Sequence, residues 1–490
     1  MRLLNTTTLA FEEFYDTQQV KYSILSHCWS QDRTDPEVTF QAYLSGTYNP
    51  EGQCWKKILR CCALSKERGY QWTWIDTCCI DKSSSAELSE TINSMFKWYQ
   101  DSSECYVFME DCDVDTLPRV EEFDKDERWK QGMHVKDVAN VETFSKSRWF
   151  KRGWTLQELL APREVLFYGT NKLLMGTKAD LASLLSYASG IAQKYILEPN
   201  AIPGASVAVR MSWASDRTTT RVEDVGYSLL GIFNINMPLL YGEGQKAFQR
   251  LQHEIVRTST DYSIFTWGLD VTQLQPCSIL AKSPGDFRNG ADLRITFDED
   301  ADIKSYSITN AGLTISTNTL MRLYTTLLLD LGWNETHHRI VLHMREHRNG
   351  RWYRHALITQ TWPSITRYQL LKAFTKFDLG SLRTIHAAIG SHEAPPTDPS
   401  ISADLIVRDQ RHRWRYLIML GPIARAILTL PLVMMLVSQA TVLLNLYYRN
   451  SIRMNSNGIV YVVMLCLAVT ARVFALSYGR ERDRLTFNGN

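Results

Sequence analysis

Lys21-Tyr-Ser-Ile-Leu-Ser-His-Cys-Trp29 decides the fold. It is a short aromatic and aliphatic run that reads as a strand and stops at polar Ser-His. Cys54 to Arg68 follows, with Trp55, Ile58, Leu59 and Cys62 on one helical face. Gln71 to Ile75 is a second strand-like run. Ser84-x-x-Glu87 matches a capping box ahead of Leu88, Ile92, Met95, Phe96 and Tyr99, which repeat at helical spacing. Glu104-Cys-Tyr-Val-Phe-Met109 reads as a third strand, and Asp111 to Asn140 as a polar insertion or long loop. Arg148 to Leu160 leads into a short helix, and Glu164-Val-Leu-Phe-Tyr168 is a fourth strand. Strands alternating with helices predict an α/β domain, a mostly parallel sheet flanked by helices, over residues 1–175.

Beyond it, residues 177–256 read as helical. Thr220-x-x-Glu223 is expected to cap a run with Val225, Leu229, Leu230 and Phe233, and Ala247, Phe248, Leu251 and Ile255 mark another helix. This helical region is placed at 176–272. From 273 to 388 the pattern turns to short strands (Leu293 to Phe297, Tyr306 to Ile308, Leu313 to Ile315, Arg339 to Leu342, His355 to Ile358), with turn signals at Asn310-Ala-Gly312 and Arg348-Asn-Gly350. A small β-rich domain is expected there. Residues 389–424, with Pro395, Pro396 and Pro399, read as a linker.

The tail is different. Ala426 to Tyr448 is 23 residues without a charge. As a helix it is about 34 Å long, enough for a hydrocarbon core of about 30 Å. Ile459 to Leu476 is a weaker apolar segment, interrupted by Arg472. Arginines flank both outer ends, the pattern of a transmembrane hairpin over 425–480 with both termini cytoplasmic. The competing reading is a buried helix pair of a soluble domain.

The averages conceal this tail. The 490 residues are 44% apolar and 22% charged with a net charge of +2, which excludes collagen-like, wholly disordered and coiled-coil classes. Mean hydropathy of −0.23 excludes a polytopic transporter. Leu405 to Asn490 holds 11 Arg, no Lys and three acidic residues, a charge of +8 that leaves −6 for the rest. A balance of +2 gives no reason to expect nucleic acid. The N-terminus has no apolar run of signal-peptide length. Ten cysteines without a C-x-x-C exclude a zinc ribbon and read as reduced, buried thiols. No metal or cofactor is expected.

Three motifs gather at the predicted carboxyl edge of the sheet, where parallel α/β folds bind ligands. They are Ser26-His27-Cys28-Trp29, Trp74-Ile-Asp76-Thr-Cys-Cys-Ile-Asp81, and Arg148-Trp-Phe-Lys-Arg152-Gly-Trp154-Thr-Leu-Gln-Glu158. They resemble the hallmarks of the fungal heterokaryon-incompatibility (HET) domain, L-S-x-x-W, W-I-D-x-x-C-I and R-x-W-T-x-Q-E. Arg210-Met-Ser-Trp-Ala214, Thr218 to Asp224 and Met237-Pro-Leu-Leu-Tyr-Gly-Glu-Gly244 resemble the helical companion region that follows it in one branch of these proteins. Together the resemblance covers about residues 1–270. Ser30 departs from it, since the family usually has Gly after Trp29.

The resemblance implies a part in fungal non-self recognition and programmed cell death. It also implies a remote likeness to Toll/interleukin-receptor (TIR) domains, some of which cleave NAD⁺ with one glutamate. On that analogy Glu158 and Asp76 are the candidate catalytic residues. Ser26, His27, Trp29, Asp81, Arg152 and Trp154 are the candidate ligand-binding ones, with NAD⁺ as a substrate rather than a cofactor. Breaking the nicotinamide–ribose bond leaves an oxocarbenium-like ribose that a carboxylate can stabilise; aromatic rings can hold the nicotinamide and Arg the phosphates.

Each residue has a plainer reading. Thr155-x-x-Glu158 is itself a capping box, Asp76 sits where loop residues cap, and Asp81 beside Lys82 suits a solvated turn. On the site reading, Glu158 is expected to face Asp76 and Ser26 across a cleft. His27 and Cys28 point to opposite faces of a strand, which argues against a thiol nucleophile. Gly242-Glu-Gly-Gln-Lys246 lacks the spacing of a phosphate loop and reads as a turn and helix start.

The expected protein is a membrane-associated incompatibility effector with its HET domain facing the cytoplasm. The alternatives are a non-enzymatic TIR-like module that self-associates and signals to an unknown incompatibility partner, or a hairpin that itself perturbs membranes.

Overall fold

A computed structural model describes residues 1–268 except 115, 121, 124 and 125, together with residues 278–290 and the strands between 306 and 387. The chain divides into Met1–His392 and Glu393–Asn490, and the second unit lies outside the described residues. The linker and the hairpin at 425–480 therefore lie outside them too. Among the described residues no helix is long and apolar enough to cross a membrane.

The first sheet has seven strands: β1 (Arg2–Asn5), β2 (Phe11–Glu13), β3 (Tyr22–His27), β4 (Trp72–Trp74), β5 (Glu104–Phe108), β6 (Val165–Tyr168) and β7 (Leu174–Thr177), in the order β2-β1-β4-β3-β5-β6-β7. The inner four, β4-β3-β5-β6, are parallel, as the alternating pattern predicts. Their residues are buried on both faces apart from partly exposed Trp72, the mark of a covered parallel sheet. Two edges differ from the expectation: a β1–β2 hairpin adds antiparallel to β4, and β7 adds antiparallel to β6. Both edge pieces are three or four residues long, too short for a periodic signal to register.

The helices of this half are α1 (Phe40–Ser45), α2 (Gln53–Glu67), α3 (Ser85–Asp101), α4 (Val135–Ser145) and α5 (Thr155–Leu160). In chain order the parallel strands run 2-1-3-4. The β3–α2–β4 crossover thus moves one way along the sheet and β4–α3–β5 the other. Right-handed crossovers then put α2 and α3 on opposite faces and leave a switch point between the carboxyl ends of β3 and β5. Tyr22 Oη donates to Trp98 O at 2.6 Å and Tyr99 Oη to Leu25 O at 2.9 Å, pinning α3 to β3. The Ser84 hydroxyl accepts from Glu87 N at the start of α3, one arm of the predicted capping box. The other arm goes elsewhere, since Glu87 Oε1 accepts from Asp81 N at 2.8 Å. Helix α4 lies partly within the stretch expected to be a loop. It buries only Asn140, Val141 and Phe144, a stripe too narrow to show among its charged neighbours.

The helical region holds α6 (Ala182–Ser189), α7 (Gln193–Leu197), α8 (Val207–Ser212), α9 (Asp224–Tyr227), α10 (Leu230–Phe233) and α11 (Lys246–Thr258). The predicted cap at Thr220 does not form. Thr218 N donates to Lys151 O at 2.6 Å and Gly153 N to Thr218 O at 2.8 Å, so this segment is held extended against residues 151–153. Gly153 permits the approach: a Cβ there would lie 2.5 Å from Thr219 Cγ2. Glu223 takes the position before α9, and its Oε1 accepts from Gly242 N and Gly244 N at 2.9 and 3.0 Å. The chain's own carboxylate fills the cradle of the Gly-Glu-Gly turn, as the non-phosphate reading of that turn requires.

The second sheet has seven strands: β8 (Tyr306–Thr309), β9 (Gly312–Thr317), β10 (Thr319–Leu323), β11 (Thr326–Trp333), β12 (Arg339–Glu346), β13 (Trp352–Gln360) and β14 (Arg383–Ala387). Their order is β10-β11-β12-β13-β14-β9-β8, antiparallel except for β13–β14. The strand expected at Leu293 to Phe297 lies outside the described residues.

Candidate functional site

Ser26 is the penultimate residue of β3, at the switch point, and is fully buried. Its hydroxyl donates to Glu158 Oε2 and accepts from Trp149 Nε1 at 2.8 Å. β3 thus meets on one oxygen the 148–151 turn and α5, which lie far along the chain from it. Glu158 is therefore not the cap that Thr155-x-x-Glu158 suggests. Thr155 is the first residue of α5, and its hydroxyl donates to the carbonyls of Trp149 and Arg152. That leaves the glutamate free to point inward.

Burial pushes the Glu158 carboxyl up to about 8. Its bond from Ser26 and the nearby Arg152 and Arg217 oppose the rise, and Asp76 adds to it. Arg217 donates through Nη1 to Arg152 O and Thr155 Oγ1, both at 2.9 Å, and burial lowers it to about 10.

Asp76 follows β4 and holds Trp29. Trp29 Nε1 donates to Asp76 Oδ2 at 2.8 Å, and Lys82 Nζ lies 3.9 Å from the same oxygen. The Lys82 ammonium sits 3.6 Å from the Trp29 ring centroid and the Arg152 guanidinium carbon 5.3 Å from it, so the indole carries two cations. His27 lies between two carboxylates, with Nδ1 3.8 Å from Asp76 Oδ1 and Nε2 3.7 Å from Glu37 Oε1. Glu37 also accepts from Lys57 Nζ at 2.6 Å and from Ser30 N at 2.7 Å. Although burial opposes it, His27 and Lys57 hold its carboxyl well below the usual range. Ser30 is not among the residues with positive φ, so the turn after Trp29 does not need the family's glycine.

Trp29, Asp76, Lys82, Arg152 and Glu158 line a cavity of about 520 Å³. Glu158, Asp76, Trp29, Arg152 and Trp154 all face it, so the structure brings together five of the eight predicted residues. Ser26 supports it from below through Glu158, and His27 supports Asp76. Asp81 is elsewhere: its Oδ1 accepts from Ser83 N and Oγ at 3.0 and 2.5 Å in a turn, and its Oδ2 from Gln41. Cys28 lines the cavity as a thiol that burial raises to about 11, unsuited to nucleophilic work. The eight described cysteines are free, and no group able to hold a metal ion occurs among the described residues.

The far wall comes from the helical region. Thr218 to Arg221, Asp224 and Tyr241 line it, and Asp224 accepts from Trp154 Nε1 at 3.2 Å and from Tyr241 Oη at 2.9 Å. Burial raises the Asp224 carboxyl. Sequence reasoning missed Trp149, Arg217, Arg221, Asp224 and Tyr241 as site residues. All but Arg217 fall within motifs already singled out, yet nothing local shows that residues 218–224 pack beside residues 151–153.

A mostly parallel α/β domain with a buried carboxylate at its switch point is the class that fold and site define. Its residues 22–158 match the heterokaryon incompatibility protein (HET) family, the match ending on Glu158 itself. Residues 246–305 match a domain of unknown function, DUF8212. The vegetative incompatibility protein HET-E-1 of Podospora anserina is 40% identical over 236 residues, 48% of this chain and 16% of that protein. Residues 22–158 of the chain are thus a HET domain. No solved structure matches it.

Proposed function

We propose that the chain is a heterokaryon-incompatibility effector whose HET domain hydrolyses NAD⁺ or a closely related nucleotide. The buried Glu158 carboxylate, aimed by Ser26 into a cation- and aromatic-lined cavity, carries this reading. The reading includes a likeness to TIR domains, which the mostly parallel sheet and the glutamate at its carboxyl edge support.

In the proposed step the bond from ribose C1′ to the nicotinamide nitrogen breaks, and its electron pair leaves with nicotinamide. The ionised Glu158 stabilises the positive ribose, water adds at C1′ and its proton passes to Glu158 and then to solvent. The products are nicotinamide, ADP-ribose and one proton. Trp149 acts as a positioning residue through Ser26. Because Glu158 titrates at about 8, the rate should rise from pH 6 to 8. The pyridinium charge of a bound substrate shifts this limb toward lower pH.

The test is NAD⁺ loss in cells expressing the full chain or Glu158→Ala. Loss with the wild type and none with the variant is expected. Death with NAD⁺ unchanged would sink hydrolysis and leave the non-enzymatic, self-associating signalling module.

The tail is proposed to tether the protein to a membrane with the HET domain in the cytoplasm, on the strength of the uncharged run Ala426 to Tyr448. The full chain should pellet with membranes and resist carbonate extraction, and a chain lacking residues 425–490 should be soluble. Membrane retention of the shortened chain rejects the tether.

A further inference from the structure

The cavity carries more positive charge than its own carboxylates neutralise. Glu158 is engaged by Ser26, Asp224 by Trp154 and Tyr241, and Asp76 by Trp29 with Lys82 close by. Lys151, Arg152 and Arg221 line the same cavity. No ion pair to any of the three occurs among the described residues. Arg152 Nε is buried without a hydrogen-bond partner, although an arginine nitrogen out of water requires an acceptor. Lys151 and Arg152 belong to the turn before α5. Arg221 comes from the segment that the Thr218 bonds to Lys151 and Gly153 lay beside that turn. The Arg221 guanidinium carbon lies 4.5 Å from the Tyr241 ring centroid.

Three cations without an ion pair among the described residues suit a ligand with more than one negative charge, and guanidinium forks suit phosphate oxygens. Aromatic rings beside them suit a base, and about 520 Å³ is within the range of cavities that enclose a small organic ligand. We infer that the cavity binds a nucleoside diphosphate, with its phosphates on Lys151, Arg152 and Arg221, and that the companion segment 218–241 is part of the binding site. This rests on reading the cavity as a nucleotide site and is independent of whether hydrolysis follows.

Calorimetric titration of the full chain with ADP-ribose, adenosine and inorganic pyrophosphate tests it. Lys151 and Arg221 are exposed, so Lys151→Gln/Arg221→Gln should fold. Wild type should bind ADP-ribose, more weakly as salt rises, and adenosine should not bind detectably. The double variant should lose about tenfold or more in affinity, and Arg221→Lys should keep most of it. The Glu158→Gln chain should still bind ADP-ribose. Equal affinity for adenosine or pyrophosphate, or a double variant that binds like wild type, overturns the inference. A wild type that binds ADP-ribose but leaves NAD⁺ intact ends the hydrolysis proposal alone. Turnover of NAD⁺ with an unchanged KM in the double variant ends this inference alone.

Discussion

Glu158→Gln is expected to raise the thermal midpoint of the HET domain while ending the proposed NAD⁺ hydrolysis. The folded carboxyl titrates at about 8 against an ordinary value of 4.5, chiefly because it is buried. Its folded pKa is the higher one, so its contribution to stability is fully present below about pH 4.5 and lost as pH rises through 8. At pH 9 the protein holds a buried negative charge that Ser26, Arg152 and Arg217 compensate only in part. A shift of this size corresponds to at most about 5 kcal/mol. Glutamine keeps the shape and an acceptor for Ser26 but no charge. Its advantage should be near zero at pH 4 and grow to several kcal/mol by pH 9, measured as urea midpoints across pH. A midpoint difference that is flat with pH would show that the carboxylate is not buried as described. A destabilising buried carboxylate is the pattern of a stability–activity trade-off, so the same measurement bears on the proposed chemistry.

Arg217→Ala is expected to destabilise strongly, by about 3–5 kcal/mol, because it breaks a buried charge cluster and opens a cavity. Arg217 donates to Trp213 O, Arg152 O and Thr155 Oγ1, tying the helical region to the start of α5, the helix that carries Glu158. Removing it also withdraws a cation from Glu158, whose carboxyl should then titrate above 8 and carry the rising limb of any activity profile to higher pH. Arg217→Lys keeps the charge without the fork and should recover the pH profile better than the stability. Denaturant unfolding and a pH–rate profile separate the two effects. An alanine variant of wild-type stability would mean that the two regions are not coupled through this residue.

Much of this was legible in the residues. The four parallel strands and helices α2, α3 and α5 follow from period and capping. The three blocks that converge on the sheet edge were visible as strings of Trp, Asp, Arg and Glu. The short edge strands β1, β2 and β7 and helix α4 were not, because three residues make no period and a narrow buried stripe is lost among charges. Two capping boxes read from spacing, at Thr155 and Thr220, do not form. At the first box the threonine and the glutamate both have partners outside the helix, and at the second the glutamate does; spacing cannot register such competition. The sequence also could not separate Asp76, which faces the cavity, from Asp81 five residues later, which closes a turn.

By itself the sequence determined the α/β class, the family resemblance and the residue types available for chemistry, since these depend on local periodicity and on strings read in order. The tertiary structure decided where Glu158 points and what completes its cavity. Ser26 and Glu158 are 132 residues apart, Trp149 and Ser26 123, Arg217 and Thr155 62. Contacts across such distances depend on strand order and crossover direction, which bring the ends of β3 and β5 together and leave a switch point. Side-chain period carries no information about either.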